Sequence, residues 1–155
     1  MANSSTRYGF RPFKENHKIE WYNAAASQTI AKGDAVILNA NGDSNIGLSN
    51  SAALLGVAAG PVTTTAGDEQ TLFPVWVAEY DSMFVGQCSG TYALTLRGDM
   101  VDIEGATGAM MVNENASSTK VLQLIREYTD TGDAIGAYCE VVFKIIKSQY
   151  AGTEV

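Results

Sequence analysis

"YCEVVFKII" (138–146) decides the fold class. Cys139, Val141, Phe143 and Ile145, with Ala137 just ahead of them, fall on one side of an extended chain and are wholly apolar. Tyr138, Glu140, Val142, Lys144 and Ile146 fall on the other and are mixed. Period-two alternation of this kind is the signature of a strand with one face in a core.

The preceding stretch, "TKVLQLIREY" (119–128), also fits a helix, with Val121, Leu122, Ile125 and Tyr128 on one stripe. The turn-rich link "YTDTGD" (128–133) joins it to the strand above, so a β-hairpin is the better reading. Outward from this pair, the same short, β-branched and aromatic runs recur. They are "KIEWY" (18–22), "DAVIL" (34–38), "LLGVAA" (54–59), "TLFPVWV" (71–77), "MFVGQC" (83–88) and "DMVDIE" (99–104). Gly, Asn, Asp or Thr clusters separate most of them. The expectation is a mainly β protein, an antiparallel sandwich or a small antiparallel β-barrel.

"KGDAVIL" (32–38), "RGDMVDI" (97–103) and "TGDAIGAY" (131–138) repeat a Gly-Asp step followed by a small or flexible residue and a β-branched one. Glycine supplies a positive φ and aspartate bonds nearby backbone N–H groups, so the step reads as a reused strand entry. In this reading Arg97-Gly98-Asp99, although it spells an adhesion tripeptide, is one of those turns.

In "FPVWVAEY" (73–80), Phe73, Val75 and Val77 share one face, while Trp76 and Tyr80 share the other with Leu72. A strand apolar on both sides needs cover on both. Two readings stand: a strand inside a sandwich, or an edge whose outer face meets another subunit. Pro74 cannot donate to a ladder, which favours an edge or a bulge. Trp21, Phe73, Pro74, Trp76 and Tyr80 are the candidate subunit-interface residues.

The chain has 155 residues, of which 46% are hydrophobic and 17% charged, which suits one globular domain. Net charge is −7, and an acidic body disfavours nucleic acid as the primary partner. No apolar run reaches the length of a membrane span, and a polar "ANSSTR" follows Met1 where a secretory signal would be apolar. Cys88 and Cys139 lie far apart in strand-like contexts and read as buried free thiols, with a single bridge as the alternative.

Sequence patterns for chemistry are thin. The lone His17 has no nucleophile in a suitable context beside it. One histidine and two distant cysteines supply no recognisable metal-ligand spacing, and "GATGAMM" (105–111) lacks the lysine of a phosphate cradle. Neither catalysis, nor a metal, nor a cofactor is expected.

The opening "MANSSTRYGFRPFKENHK" (1–18) is different in kind. It holds four of the ten basic residues and one of the seventeen acids, so a +3 leader precedes a −10 remainder. Tyr8, Phe10 and Phe13 are costly to leave in water, and Pro12 favours an extended backbone. The reading is an extended arm over 1–18, a single β domain over 19–147 and a tail over 148–155. Arg7, Tyr8, Phe10, Arg11, Pro12, Phe13 and Lys14 would grip a neighbouring surface, the rings burying area and the cations meeting carboxylates.

"MANSSTRYGFRP", "IEWYNAAASQTIAKGDAVIL", "LLGVAAGPV", "VWVAEYDSMFVGQCSG", "TGAMMVNENASSTKVLQLI" and "GAYCEVVFKII", in that order, resemble small structural head proteins of tailed bacteriophages. The resemblance covers nearly the whole chain as scattered short motifs. It implies a capsid decoration or cement protein with a small β-barrel or β-tulip-like body on the outside of the virion, made in the host cytoplasm. It also implies a homodimer or homotrimer whose partner is the major capsid protein. Two other readings remain open: another virion part, such as a tail-tube, head-fibre or connector subunit, and a carbohydrate- or receptor-binding β module using Trp21 and Trp76.

Overall fold

Period-two runs become strands throughout. The computed structural model describes residues 3–14, 17–68, 71–130 and 132–150, and among them the only helical element is a 3-10 turn over Leu94–Leu96. The strands are β1 (Arg11–Pro12), β2 (Ile19–Asn23), β3 (Thr29–Ile30), β4 (Ala35–Leu38), β5 (Ser44–Ile46), β6 (Gly56–Ala58) and β7 (Val62–Thr63). They continue with β8 (Leu72–Val77), β9 (Met83–Gln87), β10 (Met100–Glu104), β11 (Met111–Asn113), β12 (Leu122–Glu127) and β13 (Glu140–Ile145). Each run expected as a strand overlaps one, and "TKVLQLIREY" is a strand, β12, hairpinned to β13.

All ladders are antiparallel, in a six-stranded sheet of order β1-β9-β13-β12-β10-β11, a five-stranded sheet β2-β8-β6-β4-β5, and the small pair β3-β7. The two large sheets pack on one core. Phe84, Leu124, Val141 and Phe143 come from the first sheet, and Ala35 and Val57 from the second. The second sheet is apolar on its other face too, where Val36, Phe73, Val75 and Val77 pack beneath Ile30 and Val62 of β3 and β7. The architecture is a β-sandwich with a third, smaller layer.

Neither large sheet closes into a barrel. Each curls until two of its outlying strands touch at an isolated parallel bridge, Ala24↔Ser44 between the ends of β2 and β5 and Cys88↔Val112 between the end of β9 and β11. A repeated design underlies this symmetry. Taken in chain order, β2, β4, β5, β6 and β8 are arranged in space as β9, β10, β11, β12 and β13 are. The β3-β7 pair also has its counterpart in the Thr91↔Ala137 bridge. The Gly33-Asp34 and Gly98-Asp99 steps enter corresponding strands, β4 and β10, each glycine at positive φ. The third step differs: Gly132 also has positive φ, but Asp133 sits in the long β12–β13 connection and starts no strand.

Two boundaries drawn from the sequence are corrected. The leader is part of the body: Phe10 is 3% exposed and lies in the main core, and β1 is an edge strand of the six-stranded sheet. The start of the tail is tied down as well. Ser148 donates a 2.6 Å hydrogen bond to the Ala78 carbonyl, and the Gln149 amide exchanges two bonds with the Leu38 backbone. Met1, Ala2, Glu15, Asn16 and residues 151–155 lie outside the described residues.

Pro74 is a third correction, because β8 is an interior strand between β2 and β6. The Pro74 carbonyl accepts from the Ala59 N–H at 2.9 Å, one rung past the last ladder pair of β6, Ala58↔Val75. In an antiparallel strand N–H and C=O of one residue point to the same side. The missing donor therefore falls where β6 is already ending, and only one bond is forgone.

Candidate functional site: a cation–aromatic face on the six-stranded sheet

The leader runs along the β9 edge of the six-stranded sheet, and two glycine contacts set its path. Gly9 at φ +89° packs on Gly33 at φ +96°, where a Cβ on Gly33 would stand 3.1 Å from the Gly9 Cα. The Phe10 N–H donates to the Gly33 carbonyl at 2.8 Å. The Phe10 ring then covers Gly86, where a Cβ would come within 2.5 Å of it, and meets Phe143 edge-on at 4.9 Å. Arg11 and Pro12 pair with Val85 and Phe84 of β9, and the Phe13 N–H extends the ladder to the Met83 carbonyl at 2.9 Å.

This path brings the leader's arginines over the one carboxylate on the mixed face of β13. Glu140 is fully buried, with one oxygen 3.1 Å from Arg7 and the other 2.5 Å from Arg11. Arg7 also lies 2.5 Å from Asp133, and the hydrogen bonds to Glu140 hold its guanidinium above its ordinary range. A basic leader on an acidic protein is thus explained within the chain: its arginines neutralise a buried carboxylate of their own body. An intramolecular pair loses no translational freedom when it forms, which favours it over the same pair made with a neighbour.

Beyond Arg11 the face alternates cations and rings. Arg11 lies over the Tyr128 ring at 5.3 Å, and Tyr128 meets Phe13 edge-on at 6.1 Å. Phe13 carries Lys14 at 5.4 Å and Arg126 at 5.1 Å. Lys144, on the same face of β13 as Glu140, stands 4.9 Å from the centre of the Tyr80 ring. Such contacts hold long cationic side chains in place at modest energy, about 0.5–1 kcal/mol each where exposed. Phe13, Lys14 and Arg126 line a cleft of 520 Å³ together with His17, Glu79 and Asp81. Burial holds the His17 imidazole below its usual range, although the Glu79 and Asp81 carboxylates pull the other way. Its ring sits edge-on to Phe84 at 5.0 Å.

The leader's expected contact residues therefore divide. Phe10 and Pro12 serve the fold, Arg7 and Arg11 are committed to Glu140, and Tyr8, Phe13 and Lys14 stay at the surface. The interface candidates divide as well. Phe73 is 1% exposed in the second core and is withdrawn as a surface residue. Trp76 is half-buried under Lys32, whose ammonium is 5.8 Å from the ring, and Pro74 packs at Gly60. Trp21 and Tyr80 are open to solvent at 62% and 73%. Arg126, Tyr128 and Lys144 were missed because "TKVLQLIREY" and β13 read as structural strands; the available signal was Arg126 two residues before Tyr128, whereas the ring beside Lys144 is Tyr80, distant in sequence.

Among the described residues, no group of three or more His, Cys, Asp or Glu side chains is placed to hold a metal ion, and no helix is long and apolar enough to cross a membrane. Arg97 pairs with Glu127, and Gly98 takes φ +87° in the turn before β10. No protein-family model and no curated protein matches the chain.

Proposed function

We propose that this chain is a virion structural protein, a capsid decoration or cement protein that binds the outer surface of the major capsid lattice. The observation that carries the proposal is the cation–aromatic face. On a chain of net charge −7, Lys14, Arg126 and Lys144 stand beside the exposed or half-buried rings of Phe13 and Tyr80. Rings paired with fixed cations suit an acidic protein surface, where aromatics bury area and cations find carboxylates. The resemblance of the ordered motifs to those of phage head proteins is what points to the capsid as that surface. The grip comes from a folded face rather than from a free arm, and it needs no catalysis.

Electron microscopy of purified particles tests this directly. The expected result is several hundred copies spread over the shell, and loss of binding to decoration-free heads by a Lys14→Glu, Arg126→Glu variant that still melts cooperatively. Rings of six or twelve in solution, or label at one vertex only, would replace this reading with a tail or connector role. Glycan binding lost on Trp76→Ala would replace it with a carbohydrate module.

A further inference from the structure

We infer that β2 is the self-association strand, and that two copies of the chain join through it, antiparallel, about a two-fold axis at Trp21. The inference holds whether or not the body docks on a shell.

Three observations lead there. First, β2 is a bare edge. The Val77 N–H donates to the Lys18 carbonyl at 3.1 Å and the Ala24 N–H to the Thr71 carbonyl at 2.9 Å, so the even-numbered residues of β2 face β8. The backbone groups of Ile19, Trp21 and Asn23 consequently point away from the sheet, and no hydrogen bond to them is found among the described residues. The edge is bare only over these five residues, because the Ala25 N–H already bonds Ser44 of β5 at 2.9 Å.

Second, the corresponding edge in the other half of the molecule is filled. There β9 occupies the place of β2, and β1 covers it as an antiparallel strand. The same design carries a cap in one half and lacks it in the other. Proteins commonly blunt an open edge with proline, lysine or a bulge. The outward-facing residues of β2 are instead Ile19 and Trp21, 46% and 62% exposed, followed by Asn23.

Third, the strand is complementary to itself. Centred on Trp21, Ile19 falls opposite Asn23 of the second copy and Glu20 opposite its Tyr22, so no like charges meet. Every outward N–H and C=O of the strand finds a partner. Side chains extend the match: Trp76, Pro74 and Leu72 stand beside Ile19, Trp21 and Asn23 in register. Across the axis this yields a row from Pro74 through Trp21 to the second copy's Trp21 and Pro74. Leu72, itself 56% exposed, is brought into line with the second copy's Ile19 and Trp76. A strand of unrelated sequence would satisfy the backbone but not this alternation.

Sedimentation equilibrium of the full chain should give twice its 16.5 kDa, and Trp21→Lys should halve that mass while leaving the circular-dichroism spectrum and melting curve unchanged. Directly opposed hydrogen-bonded residues lie about 5.5 Å apart at Cα, within reach of a disulfide. Trp21→Cys should therefore cross-link into a covalent dimer under mild oxidant, and Glu20→Cys should not. A monomeric or trimeric native chain, a dimer that survives Trp21→Lys, or a Trp21→Cys variant that stays uncross-linked would overturn the inference.

Discussion

Arg11 holds a guanidinium nitrogen 2.5 Å from a carboxylate oxygen of Glu140, and that carboxylate has no exposure to water. The pair joins the twelfth part of the chain nearest its start to the last strand of the sheet. It makes the leader a structural strap, and it sets what removal should do.

Arg11→Ala leaves a buried carboxylate with reduced compensation, and should cost about 2 kcal/mol by chemical denaturation. Glu140→Gln in the same background removes the charge that needed compensating. The double variant should therefore be more stable than Arg11→Ala alone, a coupling read from a double-mutant cycle. Deleting residues 1–14 removes both arginines and Phe10 together, and the truncated chain should unfold at a markedly lower urea concentration. A truncated chain as stable as the intact one would show the leader to be energetically detached.

Phe10 and Gly86 should behave as one unit. Phe10→Ala empties a site in the main core and should cost about 3 kcal/mol or more. Gly86→Ala places a methyl group within 2.5 Å of the ring and should cost about 1–3 kcal/mol through overpacking. Combining them lets the new methyl enter the space left by the ring, so the double variant should lose clearly less than the two losses added together. Thermal melts of the four proteins measure this.

Acid stability should depend on Asp102. This buried side chain accepts backbone N–H bonds from Ser118, Thr119 and Lys120 at 2.9, 3.0 and 2.8 Å. Burial pushes its carboxyl up, but these donors together outweigh burial and hold it below the ordinary aspartate range. A carboxyl depressed on folding binds fewer protons in the native state than in the unfolded one. Its contribution is therefore full above the unfolded pKa, about 3.9, and is lost as pH falls through the lower native value. Asp102→Asn should cost about 2 kcal/mol at pH 7. The gap to the native chain should narrow as pH falls below the ordinary aspartate value and through the lower native one, as measured by urea unfolding across pH.

Much of this architecture was legible in the chain, for identifiable physical reasons. β13 could be read because Val141, Phe143 and Ile145 all enter the main core, which demands an apolar residue at every second position, while the other face buries Glu140 and Val142 outside that core and leaves Lys144 half-buried. β1, β3 and β7 were invisible because strands of two residues carry no period. β5 and β11, at three residues, carry scarcely one. The leader's rings and cations stood out in the sequence, but Phe10, Arg7 and Arg11 find their partners within the chain. Composition reports that an arginine wants a carboxylate; only topology reports that Glu140 of the same chain stands beneath it. Phe73 and Trp76 show the same limit, since a strand apolar on both faces does not reveal which face a second layer will cover.

Cys88 and Cys139 should act as reporters of global unfolding. Both are buried free thiols in the main core, and the Cys88 N–H donates to the Cys139 carbonyl at 3.0 Å across the β9–β13 ladder. Burial pushes the Cys139 thiol up to about 11 and the Cys88 thiol higher still. The thiolate is the reactive form, so at pH 8 both the small thiolate fraction and the closed core oppose modification. A disulfide-exchange reagent should therefore release almost no chromophore from the native chain in the time that fully labels it in 6 M guanidinium chloride. Under native conditions the slow labelling rate should rise with urea as the unfolding equilibrium does. Arg11→Ala should accelerate it in proportion to the stability it removes. Rapid labelling of either cysteine in the unperturbed protein would mean that the sandwich opens locally at the β9–β13 pair, against the packing described above.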